Sequence, residues 1–406
     1  MLPPHLLFPL FLGKTVHLGV CGSIAAYKSA SLVRDFLDNS LRVTVTVTEA
    51  GSRFISPLTF ASIGAEHVYG PMFDSGDEPF GHLEPGATAD VMLIAPASAD
   101  MLGRVACGLA SDMLSCQAMA YAGPLLLAPA MNPRMWASSA VRENWAKLLA
   151  RGAVGIEPET GPMACGESGQ GRLASPEIIY AWTLKSLAPK DLAGRKVLVT
   201  LGPTREFWDG ARFWSNPSTG LMGAAMAMAA WLRGAEVQVV SGPVSWWFPP
   251  DVQVTAVVSA AQMFDACMEI WPGCDTCVAT AAVSDFSPVP HGSEKFKKDP
   301  DGRSVPHIEL AATRDILLAM GDSKRAGQFV IGFAAETSDL AASAKTKLLR
   351  KHCDIVAGNL INRDQTGFAS STNRLLVVDA GGGEQTWPLL SKTENAWKLW
   401  DLAVSL

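Results

Sequence analysis

The segment that decides the fold is residues 15–28, which read TVHLGVCGSIAAYK. Its first six residues, Thr15–Val20, form a short and largely apolar run that predicts a buried β-strand. A turn containing Gly22 and Ser23 follows and leads into a stretch with helical periodicity. A strand, a glycine-containing turn and a helix in this order predict one unit of a parallel α/β sheet. Backbone N–H groups at the start of such a helix can bind an anion, although an ordinary tight turn has the same pattern.

The same pattern recurs along the rest of the chain. Short apolar or β-branched runs that predict further strands lie at residues 42–48, 91–95, 125–128, 196–201, 236–240, 278–283 and 329–333. A polar break at residues 187–194 divides these strands into two groups. We therefore predict an α/β fold class with two doubly wound parallel-sheet domains, at residues 1–188 and 189–406. In such sheets, ligands bind beyond the carboxyl ends of the strands.

The composition excludes several classes of function. The 406 residues carry a net charge of −6, and 48% of them are hydrophobic while 18% are charged. This balance favours well-packed domains, and the negative charge argues against nucleic acid or an anionic membrane as a partner. No run of about 18 uninterrupted apolar residues occurs in the sequence. We expect a cytoplasmic location. The apolar, proline-containing residues 1–12 have no lysine or arginine and no clear cleavage site, which favours a disordered start over a signal peptide.

The eight cysteines are scattered along the chain, which is typical of reduced thiols and not of a disulfide framework. Cys274 and Cys277 form a CxxC pair, but no second pair follows at a spacing suited to zinc. A redox pair is an alternative. We interpret the two cysteines as small buried side chains at the start of a strand.

Three polar motifs follow the strands of the first domain. Ser98 comes directly after one strand, within APASAD. The run PAMNPRMW at residues 129–136 places the amide of Asn132 between two prolines at the end of the next strand. The run ACGESGQGR at residues 164–172 places Cys165 among glycines, so its thiol is presented on a loop and not packed in a core.

The two longer motifs give the first family resemblance. Residues 15–187 resemble the flavin-containing cysteine decarboxylase family, because PxMNxxMW and ACGxxGxGR both occur intact and in order. The resemblance implies a flavodoxin-like domain and implies that His82 matches the active-site histidine of the family. The FMN-binding residues that it implies are Gly22, Ser23, Ile24, Thr48 and Ser98.

The chemistry that this resemblance implies explains why these residue types are needed. A carboxylate on a saturated carbon leaves poorly, because the resulting carbanion has no electron sink. FMN first oxidises the cysteine-derived thiol to a thioaldehyde, after which loss of CO2 gives a stabilised enethiolate. The resemblance implies that Asn132 hydrogen-bonds the carboxylate and that His82 positions the substrate or transfers a proton. It implies that Cys165 protonates the enethiolate.

A second set of polar motifs follows the strands of the second domain. The loop SNPSTG at residues 215–220 precedes a predicted helix and suits a phosphate group. The runs AAVSDF at residues 281–286 and GFAAET at residues 332–337 end two strands, and EKFKK at residues 294–298 lies on a proline- and glycine-rich loop that we predict to be exposed and mobile. The dinucleotide fingerprint GxGxxG and the P-loop are both missing from these loops, which argues against NAD and ordinary ATP binding.

Together with GPTRE at residues 202–206, these motifs resemble the phosphopantothenate–cysteine ligase family over residues 191–406. The resemblance implies a Rossmann-like domain in which Asn216 stabilises an acyl-cytidylate made from the substrate carboxylate and CTP. The amine of cysteine then displaces CMP. Mg²⁺ and lysines offset the phosphate charge, and Asp285 is the candidate metal ligand beside the CTP phosphates. The CTP-binding residues that the resemblance implies are Ala281, Asp285, Lys295, Arg314, Asp315, Ile316, Leu317, Phe333, Lys347 and Lys351.

Three positions depart from the pattern of this family. Leu221 stands where several relatives carry lysine, and Arg314 replaces a common proline. Leu360 follows Asn359 where relatives usually carry aspartate. These departures bear on the phosphate and nucleotide contacts more than on the overall function.

The two resemblances together predict a bifunctional enzyme of coenzyme A biosynthesis that acts on 4′-phosphopantothenate, L-cysteine and CTP. They imply a homo-oligomer, a dodecamer in which ligase dimers join decarboxylase trimers, with flavin sites between subunits. Two alternatives stay open: a flavin-binding regulatory or scaffold protein without activity, and another flavin enzyme, such as a peptide cysteine decarboxylase or a flavin prenyltransferase. The intact residues of both predicted sites argue against the first alternative, and the ligase half argues against the second.

Overall fold

The structure is a computed structural model that describes residues 2–72, 79–164, 166–297, 306–361, 367 and 370–406. The chain folds into two compact units. The first unit contains Pro9–Ala188, and the second contains Pro3–Phe8 together with Pro189–Leu406. A short segment near the start of the chain therefore belongs to the same unit as the second half of the chain.

The expectation that residues 1–12 are disordered is wrong. Pro4–Leu6 and Pro9–Phe11 form short 3-10 helices, and Leu6 and Phe8 are buried. The Phe8 ring meets the ring of Trp397 edge-on, with 5.9 Å between the ring centroids. Burying the surface of an apolar segment against an aromatic side chain stabilises the folded state, and this contact orders the segment.

The first unit is built on a parallel sheet. Its strands and helices, in chain order, are β1 (Thr15–Val20), α1 (Tyr27–Asp38), β2 (Arg42–Val47), α2 (Glu49–Ser52), α3 (Pro57–Ser62), β3 (His67–Tyr69), α4 (Glu84–Thr88), β4 (Val91–Ala97), α5 (Ala99–Cys107), α6 (Met113–Ala120), β5 (Leu125–Pro129), α7 (Pro133–Trp136), α8 (Ser139–Ala150), β6 (Val154–Gly155), β7 (Glu159–Pro162), β8 (Ser168–Arg172) and α9 (Pro176–Leu187). A 3-10 helix at Ile24–Ala26 precedes α1.

The strand order of the main sheet is β3-β2-β1-β4-β5-β6, and all five pairings are parallel. The predicted doubly wound α/β architecture is confirmed. Within it, the order follows the 3-2-1-4-5-6 scheme of dinucleotide-binding folds and not the 2-1-3-4-5 order of flavodoxin. The direction of winding reverses between β1 and β4, so a crevice is expected beyond the carboxyl ends of these two strands. The antiparallel pair β7–β8 lies apart from this sheet.

The second unit is built on an eight-stranded sheet. Its strands and helices, in chain order, are β9 (Lys196–Leu201), β10 (Arg205–Phe207), β11 (Phe213–Ser215), α10 (Leu221–Leu232), β12 (Glu236–Ser241), β13 (Gln253–Ala256), α11 (Ala260–Ile270), β14 (Thr276–Ala279), β15 (Phe286–Pro288), β16 (Leu310–Ala312), α12 (Ile316–Asp322), β17 (Phe329–Glu336), α13 (Leu340–Arg350), β18 (Ile355–Leu360), β19 (Thr372–Asp379), β20 (Glu384–Ser391) and α14 (Lys392–Ser405).

This sheet has the order β13-β12-β9-β14-β17-β18-β19-β20. The pairings from β13 to β18 are parallel, and β19 and β20 add an antiparallel edge that the sequence analysis did not predict. An antiparallel edge is common in doubly wound sheets. The strand predicted at residues 278–283 ends at Ala279, because Ala282 pairs with the loop after β9, where its N–H donates to the Gly202 carbonyl at 2.9 Å.

Helix α10 shows why an apolar stretch with helical spacing becomes core. All twelve of its residues are buried, as expected for a helix that is apolar on every side. Trp400 of α14 covers it and donates its indole N–H to the Met226 carbonyl at 3.0 Å. With α10 fixed in this way, the loop that ends at Gly220 is held at the carboxyl edge of β9.

Candidate active sites

A cavity of about 710 Å³ lies at the carboxyl edge of the first sheet, and we call it the first-unit cavity. The loops after β1, β4 and β5 and the β7–β8 hairpin supply its walls. It coincides with the crevice expected from the reversal between β1 and β4. Its lining residues are Gly22, Ser23, Ile24, Ala25, Tyr27, Lys28, Phe54, Ser98, Ala99, Ala130, Met131, Asn132, Met135, Pro162, Met163, Ala164, Gly171, Arg172 and Leu173.

The residues that the sequence assigns to FMN come together here. Ser23 caps the 3-10 helix by accepting a hydrogen bond from Ala25 N at 3.3 Å, and Ser98 caps α5 by accepting from Met101 N at 3.2 Å. Thr48 caps α2 and lines an adjoining cavity together with Gly22 and Ser98. A capping serine still carries a hydroxyl proton that it can donate to a phosphate oxygen.

Gly22 is a glycine for a steric reason. A Cβ atom at this position would lie 2.6 Å from the Cβ of Ala50, closer than two carbon atoms can approach. The turn after β1 therefore packs tightly on α2 and leaves its backbone facing the cavity. Because Gly22 has no side chain, a ligand can approach the main chain of this turn closely.

Two basic residues line the first-unit cavity that sequence reasoning did not assign, Lys28 and Arg172. Burial lowers the pKa of Lys28, the nearby positive charge of Arg172 lowers it further, and the Glu159 carboxylate opposes both effects. Two cations in one cavity favour an anionic ligand group. The signal available in the sequence was weak, because Lys28 simply follows the turn and Arg172 closes a glycine-rich motif.

Asn132 is held at the edge of the cavity by the start of α7. Its Oδ1 accepts a hydrogen bond from Arg134 N at 2.9 Å, and its Nδ2 donates to Glu167 Oε2 at 2.9 Å. Arg134 and Glu167 form an ion pair at 2.6 Å. Sequence reasoning missed Glu167, although it lies within the ACGESGQGR motif. The Asn132 amide thus donates to a carboxylate in this structure.

Two further residues were assigned to this site, His82 and Cys165. Cys165 lies outside the described residues, while its neighbour Ala164 lines the cavity. His82 is half-buried in the loop before α4 and does not line the first-unit cavity. The backbone beside it is fixed, because Gln117 Nε2 donates to the Gly81 carbonyl at 2.8 Å.

A cavity of about 350 Å³ lies at the carboxyl edge of the second sheet, and we call it the second-unit cavity. The loop before α10, the segment after β14, and the ends of β17 and β18 supply most of its walls. Its lining residues are Asn216, Ser218, Thr219, Gly220, Leu221, Met222, Gly223, Thr280, Ala281, Ala282, Val283, Asp285, Phe333, Ala334, Ala335, Lys347, Asn359, Ile361, Gly367, Asn373 and Lys392.

Asn216 connects two of the motifs found in the sequence. Its Nδ2 donates to the carbonyls of Ala282 and Val283, at 3.1 and 3.3 Å. The amide therefore holds the loop before α10 against the segment after β14. Gly220 ends this loop with a φ of +74°, in the left-handed region that favours glycine, and α10 begins at the next residue.

The predicted nucleotide-binding residues divide into two groups. Ala281, Asp285, Phe333 and Lys347 line the second-unit cavity. Lys347 Nζ donates to the Phe333 carbonyl at 2.8 Å, and burial lowers the pKa of its ammonium while the Glu336 charge opposes this. The structure brings these four together around the Asn216 loop.

The remaining predicted nucleotide-binding residues do not line this cavity. Asp315 caps α12 and forms an ion pair with Lys351, whose pKa is lowered by burial. Arg314 is exposed and pairs with Asp265 at 2.7 Å. Ile316 is buried and Leu317 packs against the core of the second sheet, while Lys295 is exposed in the segment that ends at residue 297. The roles of all six in nucleotide binding stay predictions.

The cysteines of the second unit belong to its core. Cys267, Cys274, Cys277 and Cys353 lie in one buried apolar cluster. Burial raises the pKa of the Cys274 thiol to about 11 and that of Cys277 well above its ordinary value. Across the part of the chain that the structure describes, no group of three or more His, Cys, Asp or Glu side chains could hold a metal ion. Within the same residues, no helix has the length and hydropathy of a membrane span.

Comparison with known proteins matches both units to protein families. Residues 12–188 match the flavoprotein family, and residues 192–406 match the DNA/pantothenate metabolism flavoprotein C-terminal domain family. These two ranges follow the division of the chain between its two sheets.

Relatives are similar over nearly the whole chain. The coenzyme A biosynthesis bifunctional protein CoaBC of Bacillus subtilis (strain 168) is 37% identical over 391 residues, which are 95% of this chain and 95% of the relative. CoaBC of Vibrio cholerae serotype O1 is 38% identical over 381 residues, 94% of this chain and 95% of the relative. The crystal structure of the C-terminal domain of a CoaBC protein is 34% identical, with a TM-score of 0.45, and covers 53% of this chain and 97% of that one. The chain therefore belongs to the family of coenzyme A biosynthesis bifunctional proteins, with a flavoprotein domain followed by a DNA/pantothenate metabolism domain.

Proposed function

We propose that the chain catalyses two consecutive reactions of coenzyme A biosynthesis, one in each unit. The second unit activates 4′-phosphopantothenate with CTP and joins it to L-cysteine. The first unit decarboxylates the phosphopantothenoylcysteine to 4′-phosphopantetheine with FMN as cofactor. One observation supports this most directly: each sheet has its own cavity at its carboxyl edge, and each cavity contains the asparagine, Asn132 or Asn216, that the sequence motifs assign to the reaction.

The residues of the first-unit cavity fit FMN. Its volume of about 710 Å³ lies in the range of cofactor sites. The capped helix starts at Ser23 and Ser98, with Lys28 and Arg172, offer donors and positive charge to a phosphate group. Apolar residues such as Met131 and Met135 suit a flat aromatic ring. Bound FMN supplies an electron sink that takes up a hydride from the substrate and later returns it.

The amide of Asn132 binds the substrate carboxylate. In the structure, its Nδ2 already donates to the Glu167 carboxylate, so the group that it would bind has the same chemistry. The substrate carboxylate takes the place of this side chain and is held in the position from which CO2 leaves. Cys165, next to the cavity-lining Ala164, then donates its proton to the enethiolate.

His82 acts at the cavity of a neighbouring copy. It does not line the cavity of its own chain, and exposed apolar side chains of the first unit support a homo-oligomer. Phe80 is 70% exposed and Leu58 is 71% exposed. The specific assembly that we propose is a dodecamer in which ligase dimers join decarboxylase trimers, and light scattering on the full chain tests it. The cytoplasmic location stays a prediction.

The second-unit cavity binds CTP and the carboxylate that CTP activates. Asn216 keeps the loop before α10 in place and stabilises the charge of the acyl-cytidylate, while Lys347 offsets the phosphate charge. Asp285 would hold Mg²⁺, which would offset the charge of the CTP phosphates. Amide formation then follows as the cysteine amine displaces CMP.

Two assays on one purified sample test the proposal. The full chain should be yellow, release CO2 from phosphopantothenoylcysteine, and form the amide only when CTP and Mg²⁺ are supplied. The flavin absorbance should be lost when residues 9–188 are deleted. A folded, colourless chain that FMN cannot reconstitute contradicts the flavin function, and amide formation with ATP but not CTP contradicts the nucleotide assignment.

A further inference from the structure

A lysine that no motif singled out lies in the wall of the second-unit cavity. Lys392 is the first residue of α14, and only 4% of its surface is exposed. A buried ammonium is unfavourable unless acceptors or negative charges compensate for the lost water. Its Nζ donates to the carbonyl of Gly367 at 3.2 Å, and Gly367 also lines the cavity.

The surroundings of Lys392 favour an anionic ligand. The charged side chains of the described cavity wall are Lys392, Lys347 and Asp285. Helix α10 begins at the same cavity after Gly220, and its N-terminal N–H groups add a partial positive charge. The amide side chains of Asn359 and Asn373 lie in the same wall and add hydrogen-bonding groups.

We propose that Lys392 binds a phosphate group of a ligase substrate in the second-unit cavity. This inference rests on the proposed ligase function of the second unit. Both CTP and 4′-phosphopantothenate carry such a group, and the chemistry of recognition is the same for either. The phosphate accepts a charge-assisted hydrogen bond from the Lys392 ammonium and so compensates for its burial.

The state of charge of Lys392 agrees with this role. Burial lowers the pKa of its ammonium to about 8. The side chain therefore still carries most of its positive charge at neutral pH. A phosphate beside it would stabilise the protonated form.

Calorimetric titration of the full chain tests the role of Lys392. CTP and 4′-phosphopantothenate are titrated separately into the unmutated chain, Lys392→Met, Lys392→Arg and Lys398→Met. Lys398 is the matched control, because it lies on the same helix but is exposed and sits over the Trp387 ring. We expect Lys392→Met to weaken binding of one of the two ligands by about tenfold or more, as for loss of a charged hydrogen bond. Lys392→Arg should retain most of the affinity, and Lys398→Met should bind both ligands normally.

The outcomes show which of the two ligands carries the phosphate that Lys392 binds. They also distinguish failure of the role of Lys392 from failure of the proposed ligase function. Weaker CTP binding alone assigns Lys392 to the nucleotide, and weaker 4′-phosphopantothenate binding alone assigns it to the substrate phosphate. Normal binding of both ligands by a folded Lys392→Met chain overturns the role of Lys392. Absence of binding by the unmutated chain overturns the proposed ligase function as well.

If Lys392→Met does not fold, a measurement on the unmutated chain shows whether Lys392 binds a phosphate group. The structure of the full chain with each ligand bound gives the distance from Lys392 Nζ to the nearest phosphate oxygen. We expect a hydrogen bond of about 2.7–3.2 Å in one of the two complexes. Two complexes without such a contact overturn the proposal.

Discussion

The two cavities differ in how completely the predicted residues come together. In the first unit, all five residues assigned to FMN line the cavity at the carboxyl edge of β1 and β4 or the cavity that adjoins it. In the second unit, four of the ten residues assigned to CTP line the cavity, and Lys295, Arg314 and Lys351 are exposed or paired elsewhere. Helix caps are fixed by the backbone, whereas long basic side chains can form other ion pairs when no phosphate is bound.

This contrast indicates two kinds of site. The first-unit cavity is formed by main-chain turns and can accept its cofactor with little rearrangement. In the second unit, the side chains of Lys295 and Arg314 are exposed and lie outside the cavity.

Reciprocal changes of the two asparagines should separate the activities. In Asn216→Asp, a carboxylate replaces the amide that donates to two carbonyls, so two hydrogen bonds are lost and oxygen atoms oppose each other. We expect amide formation to fall by about a hundredfold to a thousandfold, while decarboxylation stays near normal. Asn132→Asp should show the opposite pattern, because a carboxylate there repels the substrate carboxylate.

Both asparagine variants need the same control. Oligomer size by light scattering shows whether an assembly defect has affected both activities together. A variant with normal assembly that loses both activities contradicts two independent sites. If Asn216→Asp still forms the amide, Asn216 serves only to hold its loop.

The replacement Cys165→Ala should stop the first unit at its last step. CO2 is still released, because the thiol acts after decarboxylation. We expect an oxidised enethiol product to accumulate together with reduced flavin, as followed by absorbance and mass spectrometry. Normal turnover by this variant would remove the role assigned to Cys165.

The replacement Phe8→Ala should destabilise the second unit, although Phe8 precedes the first unit in the chain. The buried ring rests against Trp397, and its loss should lower the free energy of unfolding by about 3 kcal/mol. Leu12→Ala is the control, because Leu12 is 70% exposed and should cost little. Urea unfolding measures both. Equal effects of the two changes would contradict the packing of the chain start on the second unit.

A buried histidine makes the stability of the first unit depend on pH. His17 Nδ1 lies 2.8 Å from Thr44 Oγ1, and burial lowers the pKa of the ring to about 4. The unfolded chain takes up a proton near pH 6.5, so stability should fall by about 2 kcal/mol as the pH drops from about 7 to about 5. Hydrogen exchange at β1 measures this loss. His17→Gln should reduce the slope.

Sequence reasoning located the parts of the fold that follow local rules. The strand–turn–helix start at Thr15–Val20 and the buried helix after Gly220 were predicted because periodicity and glycine are local signals. The antiparallel strands β19 and β20 were missed, because the sequence of a short strand does not indicate which neighbouring strand it pairs with. Glu167 and Lys392 were missed since each is an ordinary charged residue until its partners are known.

The α/β class and the motifs of the two family resemblances could be read from the sequence. These depend on periodicity and on short runs of residues, which act through the nearest backbone. The tertiary structure alone decided that Pro3–Phe8 belongs to the second unit and that Lys392, from the last helix, lies in the same cavity as Asn216. Contacts between residues far apart in the chain arise from packing of whole elements, and no local pattern encodes them.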